Sequence, residues 1–88
     1  MSEPTVGRTG LTQSQLTAMG VTRRNVRRTA WRLALRGELA GLTKQEKAQE
    51  VLNEIASENP TAFANVGFDW MALIELILEF LPLIIALF

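Results

Sequence analysis

The sequence contains no cysteine and no histidine, and these two absences exclude much of the usual chemistry of small proteins. Without cysteine the chain has no disulfide bond and no thiolate ligand for a metal ion. Without histidine it lacks the commonest general base and a common metal ligand. There is also no phosphate-binding loop, no G-x-S-x-G sequence and no zinc-ligand spacing. We therefore expect a protein that is not an enzyme, with no catalytic residues, no metal and no cofactor.

The length of 88 residues is enough for one small domain. A core of this size gives only marginal stability, and small chains usually gain more from disulfide bonds, bound metal ions or partner chains. The first residues lack the basic and apolar regions of a signal peptide. We expect no secretory signal and an intracellular or virion-associated protein, and a membrane-bound location stays open.

The charges are strongly segregated, although the formal net charge is zero. Residues 1–37 contain seven arginines and one acid, whereas residues 38–88 contain two lysines and eight acids. Such a division suits head-to-tail association or a basic surface for an anionic partner. The alternative is a neutral globule in which the two halves of the chain face each other.

The pattern of apolar residues predicts an all-α protein, because helical spacing recurs along the chain and strand-like alternation is absent. We expect three short amphipathic helices followed by one long, strongly hydrophobic C-terminal helix. The predicted divisions are a flexible N-terminal arm (1–10), a helical head (11–59), a linker (60–68) and a hydrophobic association or membrane helix (69–88).

The head is predicted to contain an Arg-rich helix (22–36) and an acidic helix (43–58). Thr22 is a suitable N-cap for the first, and Thr43 with Glu46 matches a capping box for the second. Acids recur every four residues on the acidic helix, so a basic neighbour would relieve their mutual repulsion. The side chains predicted to bind nucleic acid or an acidic partner are Arg23, Arg24, Arg27, Arg28 and Arg32.

Residues 16–26 resemble the middle of a helix-turn-helix motif. Gly20 stands at the turn, Thr22 caps the second helix and Val26 lies six residues after the glycine. The segment differs from the motif in having Leu16 where a small residue usually allows close helix packing. The resemblance implies that the first four arginines of the second helix project toward DNA phosphates or base edges.

The last nineteen residues, 70–88, are apolar apart from one narrow stripe of small or polar residues. A helix of that length spans roughly 28 Å, close to the hydrocarbon thickness of a bilayer at about 30 Å. Glu75, Glu79 and Pro82 lie in the stripe and make insertion of a lone helix unfavourable. The stripe would face either water in a helical assembly or similar stripes across a bundle or pore. The residues predicted to form the association surface are Trp70, Leu73, Ile74, Ile77, Leu78, Phe80, Leu81, Ile84, Ile85 and Phe88.

Taken together, these features predict a small subunit of a larger particle, either a minor virion-type protein or a membrane-associated component. Its partners would be other copies of itself, other protein subunits, a lipid bilayer, or nucleic acid bound by the Arg-rich helix. One alternative is a small helix-turn-helix-like DNA-binding protein with a hydrophobic oligomerisation tail. A second is a pore-forming or lysis-type membrane peptide, and a third is a monomeric four-helix bundle.

Overall fold

The computed structural model describes residues 3–83 and residue 85. Over these residues the chain is mostly helical and has no β-strand, which confirms the all-α prediction. The helices are α1 (Gln13–Met19), α2 (Arg23–Leu35), α3 (Lys44–Glu58), α4 (Pro60–Ala64) and α5 (Trp70–Phe80).

The starts of α2, α3 and α5 follow from local capping chemistry. The Thr22 hydroxyl accepts a hydrogen bond from the Asn25 N–H, and Thr43 forms the predicted capping box with Glu46. The Asp69 carboxylate accepts a hydrogen bond from Ala72 at the start of α5. Each of these bonds satisfies an N–H group that has no partner inside its helix. The caps predicted at Thr22 and Thr43 are confirmed.

The linker predicted over 60–68 contains a short helix that the sequence analysis missed. Pro60 ends α3 and at the same time occupies the first turn of α4. Proline is tolerated there because the N–H it lacks would have no partner within the helix.

The prediction of one continuous C-terminal helix is wrong, because α5 ends at Phe80. Leu81 has extended backbone angles of φ −65° and ψ 132°, as expected for a residue that precedes proline. Pro82 has no N–H for the Leu78 carbonyl, so the helical hydrogen-bond ladder is interrupted there. Helical geometry resumes after this break, at Leu83 and Ile85. Of the predicted association residues, Ile84 and Phe88 lie outside the described residues.

Helix α3 is the centre of the fold, since it packs against α2, α4 and α5. The contacts between α3 and α5 are the most extensive in the structure, so the apolar side of α5 is largely covered by the chain itself. The fully buried larger side chains are Leu11, Leu16, Met19, Val21, Val26, Leu39, Leu52, Ile55, Leu73, Ile74, Ile77 and Ile85.

The described part of the predicted N-terminal arm is folded onto the rest of the chain. The Val6 N–H donates to the Leu11 carbonyl at 2.8 Å, and the Thr9 hydroxyl donates to the Val6 carbonyl at 2.7 Å. Thr9 is 2% exposed, and its carbonyl accepts a hydrogen bond from the Asp69 N–H. These bonds hold residues 5–10 as a turn beside the N-terminus of α5.

Lys47 is an unusual member of the interior. Only 3% of the residue is exposed, and its Nζ donates to the Ile85 carbonyl at 3.4 Å. A buried ammonium group is costly unless polar partners surround it. The bond therefore ties Ile85, which lies beyond Pro82, to the middle of the fold.

Candidate functional site on the second helix

The turn between α1 and α2 is fixed by hydrogen bonds on both sides. Gly20 has a positive φ of 86°, which ends α1 in the left-handed conformation that glycine adopts most readily. The Val21 N–H donates to the Leu16 carbonyl at 2.8 Å, and the Asn25 side-chain amide donates to the Gly20 carbonyl at 2.7 Å. The predicted turn glycine is confirmed. The sequence analysis missed the role of Asn25, which locks the start of α2 to the end of α1.

The two arginines at the C-terminal end of α2, Arg32 in its last turn and Arg36 at its C-cap, are paired with acids. Arg32 contacts Glu58 at 2.5 Å, and Arg36 contacts both Glu38 at 2.6 Å and Glu54 at 3.2 Å. The basic neighbour that the acids of α3 were expected to need is therefore supplied by these two arginines. All of these groups are partly solvated, so the pairs contribute little stability. Their positive charge is locally neutralised, which makes them poor candidates for binding an external anion.

Arg23 has a different partner, the Phe80 ring at the end of α5. Its guanidinium carbon lies 5.1 Å from the centre of the Phe80 ring. This geometry allows a cation–π interaction, which holds the first turn of α2 against the last turn of α5.

Arg24, Arg27 and Arg28 are exposed, and we refer to these three residues as the arginine face. Within residues 3–83 none of the three forms a salt bridge or a hydrogen bond through its side chain. Arg24 and Arg28 line a surface depression of about 350 Å³ together with Thr22 and Asn25. The arginine face is thus an accessible group of positive charges that no acid in the described part of the chain neutralises.

The position of these charges on α2 adds to the positive potential. The first turn of α2 contains no acid and begins with two arginines. The N-terminus of a helix is its positive end, so acids are favoured there and bases are disfavoured. The arginines therefore raise the local potential and do not help the helix to form. A surface of this kind attracts anions, and a polyanion most strongly.

The predicted association surface is mostly turned into the core. Leu73, Ile74, Ile77 and Ile85 are buried within the chain, and the other described members are partly buried. Among the described residues from 69 onward, the large apolar side chains that stay exposed are Met71, at 50%, and Leu83, at 75%. A depression of about 370 Å³ near the end of α5 is lined by Lys44, Leu78, Leu81 and Leu83.

The predicted polar stripe lies beside the N-terminal turn. Glu75 is paired with Arg8 at 3.0 Å, and Glu75 and Glu79 line a depression of about 240 Å³ between α5 and residues 6–9. In this conformation the stripe faces the turn and solvent. The described residues contain no group of three or more side chains placed to hold a metal ion.

None of the described helices is both long enough and apolar enough to cross a bilayer. Comparison with known proteins adds no relative, because no protein family, no curated protein and no solved structure matches this chain.

Proposed function

We propose that this chain is a non-enzymatic helical protein that binds nucleic acid, with the arginine face in contact with the phosphate backbone. One observation carries the proposal. Among the residues that the structure describes, Arg24, Arg27 and Arg28 are exposed and have no acidic partner, whereas Arg32 on the same helix and Arg36 at its C-cap are paired with acids of α3. The division leaves a local positive patch on a chain whose net charge is zero.

Phosphate binding by such a patch has a measurable signature. Each phosphate that an arginine neutralises releases condensed counterions, so affinity falls as salt rises. Three contacts give a slope of log K against log [salt] of about −2.7 on duplex DNA and about −2.1 on a single strand. Binding of this kind is largely independent of sequence, because phosphates carry no base information.

The local architecture supports the same proposal. A short helix, a three-residue turn that contains Gly20 and a longer second helix reproduce the order of a helix-turn-helix. In that motif the N-terminal part of the second helix contacts the nucleic acid. Here the arginine face occupies the first two turns of α2.

The proposal is tested by fluorescence anisotropy with a labelled oligonucleotide, measured over a series of salt concentrations. Arg28→Gln should weaken binding and reduce the magnitude of the salt slope by about 0.7 to 0.9, since one phosphate contact is lost. Arg8→Gln is the matched control, because it removes the same charge from an arginine that is already paired with Glu75. Equal effects of the two substitutions, or no binding at low salt, would contradict the proposal.

A second candidate function is association into a larger particle through the end of α5, as a virion-type or membrane-associated subunit. It is favoured by the exposed apolar side chain of Leu83 next to the depression lined by Leu78 and Leu81. Exposed apolar patches often mark interaction sites.

This second candidate predicts a concentration-dependent rise in mass, measured by light scattering with and without detergent. Leu83→Ser should lower the mass of the particle. Leu35→Ser is the matched control, since Leu35 is also 75% exposed but lies on α2. A single-chain mass at high protein concentration for the unmodified protein would contradict association.

A further inference from the structure

Apolar side chains reach the surface at the C-terminal end of α5. Leu83 is 75% exposed, and it lines the depression of about 370 Å³ together with Leu78 and Leu81, which are only partly buried. The chain covers the buried side of α5 but leaves these three leucines in contact with water. Most of the free energy that Leu83 would gain from burial is therefore available to a partner.

Two other helices begin beside this apolar surface, and each begins with a basic residue. Lys44, the first residue of α3, lines the depression itself. Arg23, the first residue of α2, lies over the ring of Phe80 in the last turn of α5. A helix N-terminus carries partial positive charge, which adds to that of both side chains. Within the described part of the chain neither residue forms a salt bridge with an acid.

The exposed acid in the last turn of α5 belongs to a different depression. Glu79 lines the depression beside residues 6–9, together with Glu75 and Arg8. The surface formed by Arg23, Lys44, Leu78, Leu81 and Leu83 thus combines exposed leucines with positive charges, and we call it the α5 end surface.

An anionic lipid bilayer matches both properties of the α5 end surface. Its headgroups attract lysine and arginine, and the hydrocarbon beneath them accepts apolar side chains from a protein lying in the interface. A site for a soluble amphiphile would enclose most of its ligand, whereas Leu83 projects into solvent. A second copy of the chain is also a poorer match. Two-fold pairing through this surface would bring its cations close to the same cations of the other copy.

We infer that the α5 end surface docks this chain on an anionic membrane, with Leu83 inserted among the acyl chains and Lys44 and Arg23 on the headgroups. This docking rests on the second candidate function and specifies its partner, and it does not depend on nucleic-acid binding by the arginine face. The contact is peripheral. Because it uses two cations and few apolar side chains, binding is weak, reversible and dependent on the fraction of anionic lipid.

The absence of cysteine from the chain allows a probe to be placed at a single position. Leu83→Cys is labelled with the environment-sensitive dye nitrobenzoxadiazole. Leu35→Cys is the matched control, since Leu35 is equally exposed at 75% but lies at the end of α2. The probes are vesicles of phosphatidylserine with phosphatidylcholine, and vesicles of phosphatidylcholine alone. The emission of the label at position 83 should shift to shorter wavelength with the anionic vesicles only, and the label at position 35 should not respond.

Substitutions in the unlabelled chain separate insertion from charge, with co-sedimentation measuring the affinity for the anionic vesicles. Leu83→Ser should lower the affinity by about 5- to 20-fold, and Leu35→Ser should leave it unchanged. Lys44→Gln should lower it by about fivefold, because one cation near the headgroups is lost. Arg8→Gln removes the same charge beside the other depression and should have a smaller effect. A thermal melt of each variant confirms that the fold is intact.

Several results would overturn the inference. Vesicle binding that is reduced by Arg28→Gln but unaffected by Leu83→Ser would mean adsorption through the arginine face. A shift of the label at position 83 with soluble decanoate but not with vesicles would identify a soluble amphiphile as the occupant. Absence of vesicle binding, together with a concentration-dependent rise in mass, would refute membrane docking and leave the second candidate function standing. Absence of both would refute both.

Discussion

The substitution Gly20→Ala tests whether the α1–α2 turn is held by close packing as well as by backbone conformation. Gly20 and Gly37 both have positive φ values, 86° and 75°. Alanine in this conformation costs about 1–2 kcal/mol at either position. The two sites differ in their surroundings, because a Cβ at Gly37 meets nothing within 4 Å. Gly37→Ala is therefore the matched control for backbone strain alone.

At Gly20 the added methyl group would press on two hydrogen-bonded amides. Its Cβ would lie 3.1 Å from Nδ2 of Asn59 and 3.2 Å from Nδ2 of Asn25. The first amide donates to the Ile55 carbonyl at 3.1 Å and the second to the Gly20 carbonyl at 2.7 Å. Weakening these bonds adds about 1–2 kcal/mol to the backbone cost, since each contributes about 0.5–1.5 kcal/mol.

The expected losses in the free energy of unfolding are therefore about 2–4 kcal/mol for Gly20→Ala and about 1–2 kcal/mol for Gly37→Ala. For a domain of this size each kcal/mol lowers the melting temperature by about 4–8 °C. Circular dichroism at 222 nm, followed during urea and thermal unfolding, measures both quantities. Equal losses in the two variants would refute the role assigned to Asn25 and Asn59.

Three further predictions concern the interior and the cap of α3. Thr29→Val should raise the free energy of unfolding by about 1 kcal/mol, because the buried Thr29 hydroxyl has no hydrogen-bond partner among the described residues. Thr17→Val is its control, since the exposed Thr17 hydroxyl donates to the Gln13 carbonyl, and an equal gain there would contradict the explanation. The hydrogen bonds from Thr43 hold the pKa of Glu46 below its ordinary value of 4.5. This stabilisation is present above pH 4.5 and is lost as the pH falls through the lowered pKa, so Glu46→Gln should flatten the acid limb of the melting-temperature profile. An unchanged acid limb would count against the cap. Leu73→Ala should cost about 2–5 kcal/mol in urea unfolding, whereas the half-exposed Met71→Ala should cost less than about 1 kcal/mol. Similar costs would mean that α5 is not packed as described.

The sequence was most informative about features that depend on neighbouring residues. The caps at Thr22 and Thr43 and the turn at Gly20 were predictable, because each uses hydrogen bonds within a few residues. The end of α5 at Phe80 was harder to predict from the sequence. Pro82 was recognised as a defect in the helix, but the apolar residues beyond it continue the pattern and concealed the break.

The sequence predicted which arginines form the candidate site, but not which of them are paired with acids and which stay exposed. The sequence places five arginines on one helix, and nothing local tells which of them meet acids. That depends on how α2 lies along α3, which brings Glu58 to Arg32 and leaves Arg28 exposed. The stacking of Arg23 on Phe80 likewise depends on tertiary packing between residues 57 positions apart in the chain.

The two lysines of this chain differ sharply in their access to water. Lys44 is exposed at the start of α3, whereas Lys47 is enclosed and bonded to the Ile85 carbonyl. An amine-acylating reagent should therefore modify Lys44 quickly and reach Lys47 only when the Ile85 carbonyl moves away from it. Peptide mass spectrometry after timed acylation then measures the acylation rate of Lys47, and this rate reports how often the contact with Ile85 opens.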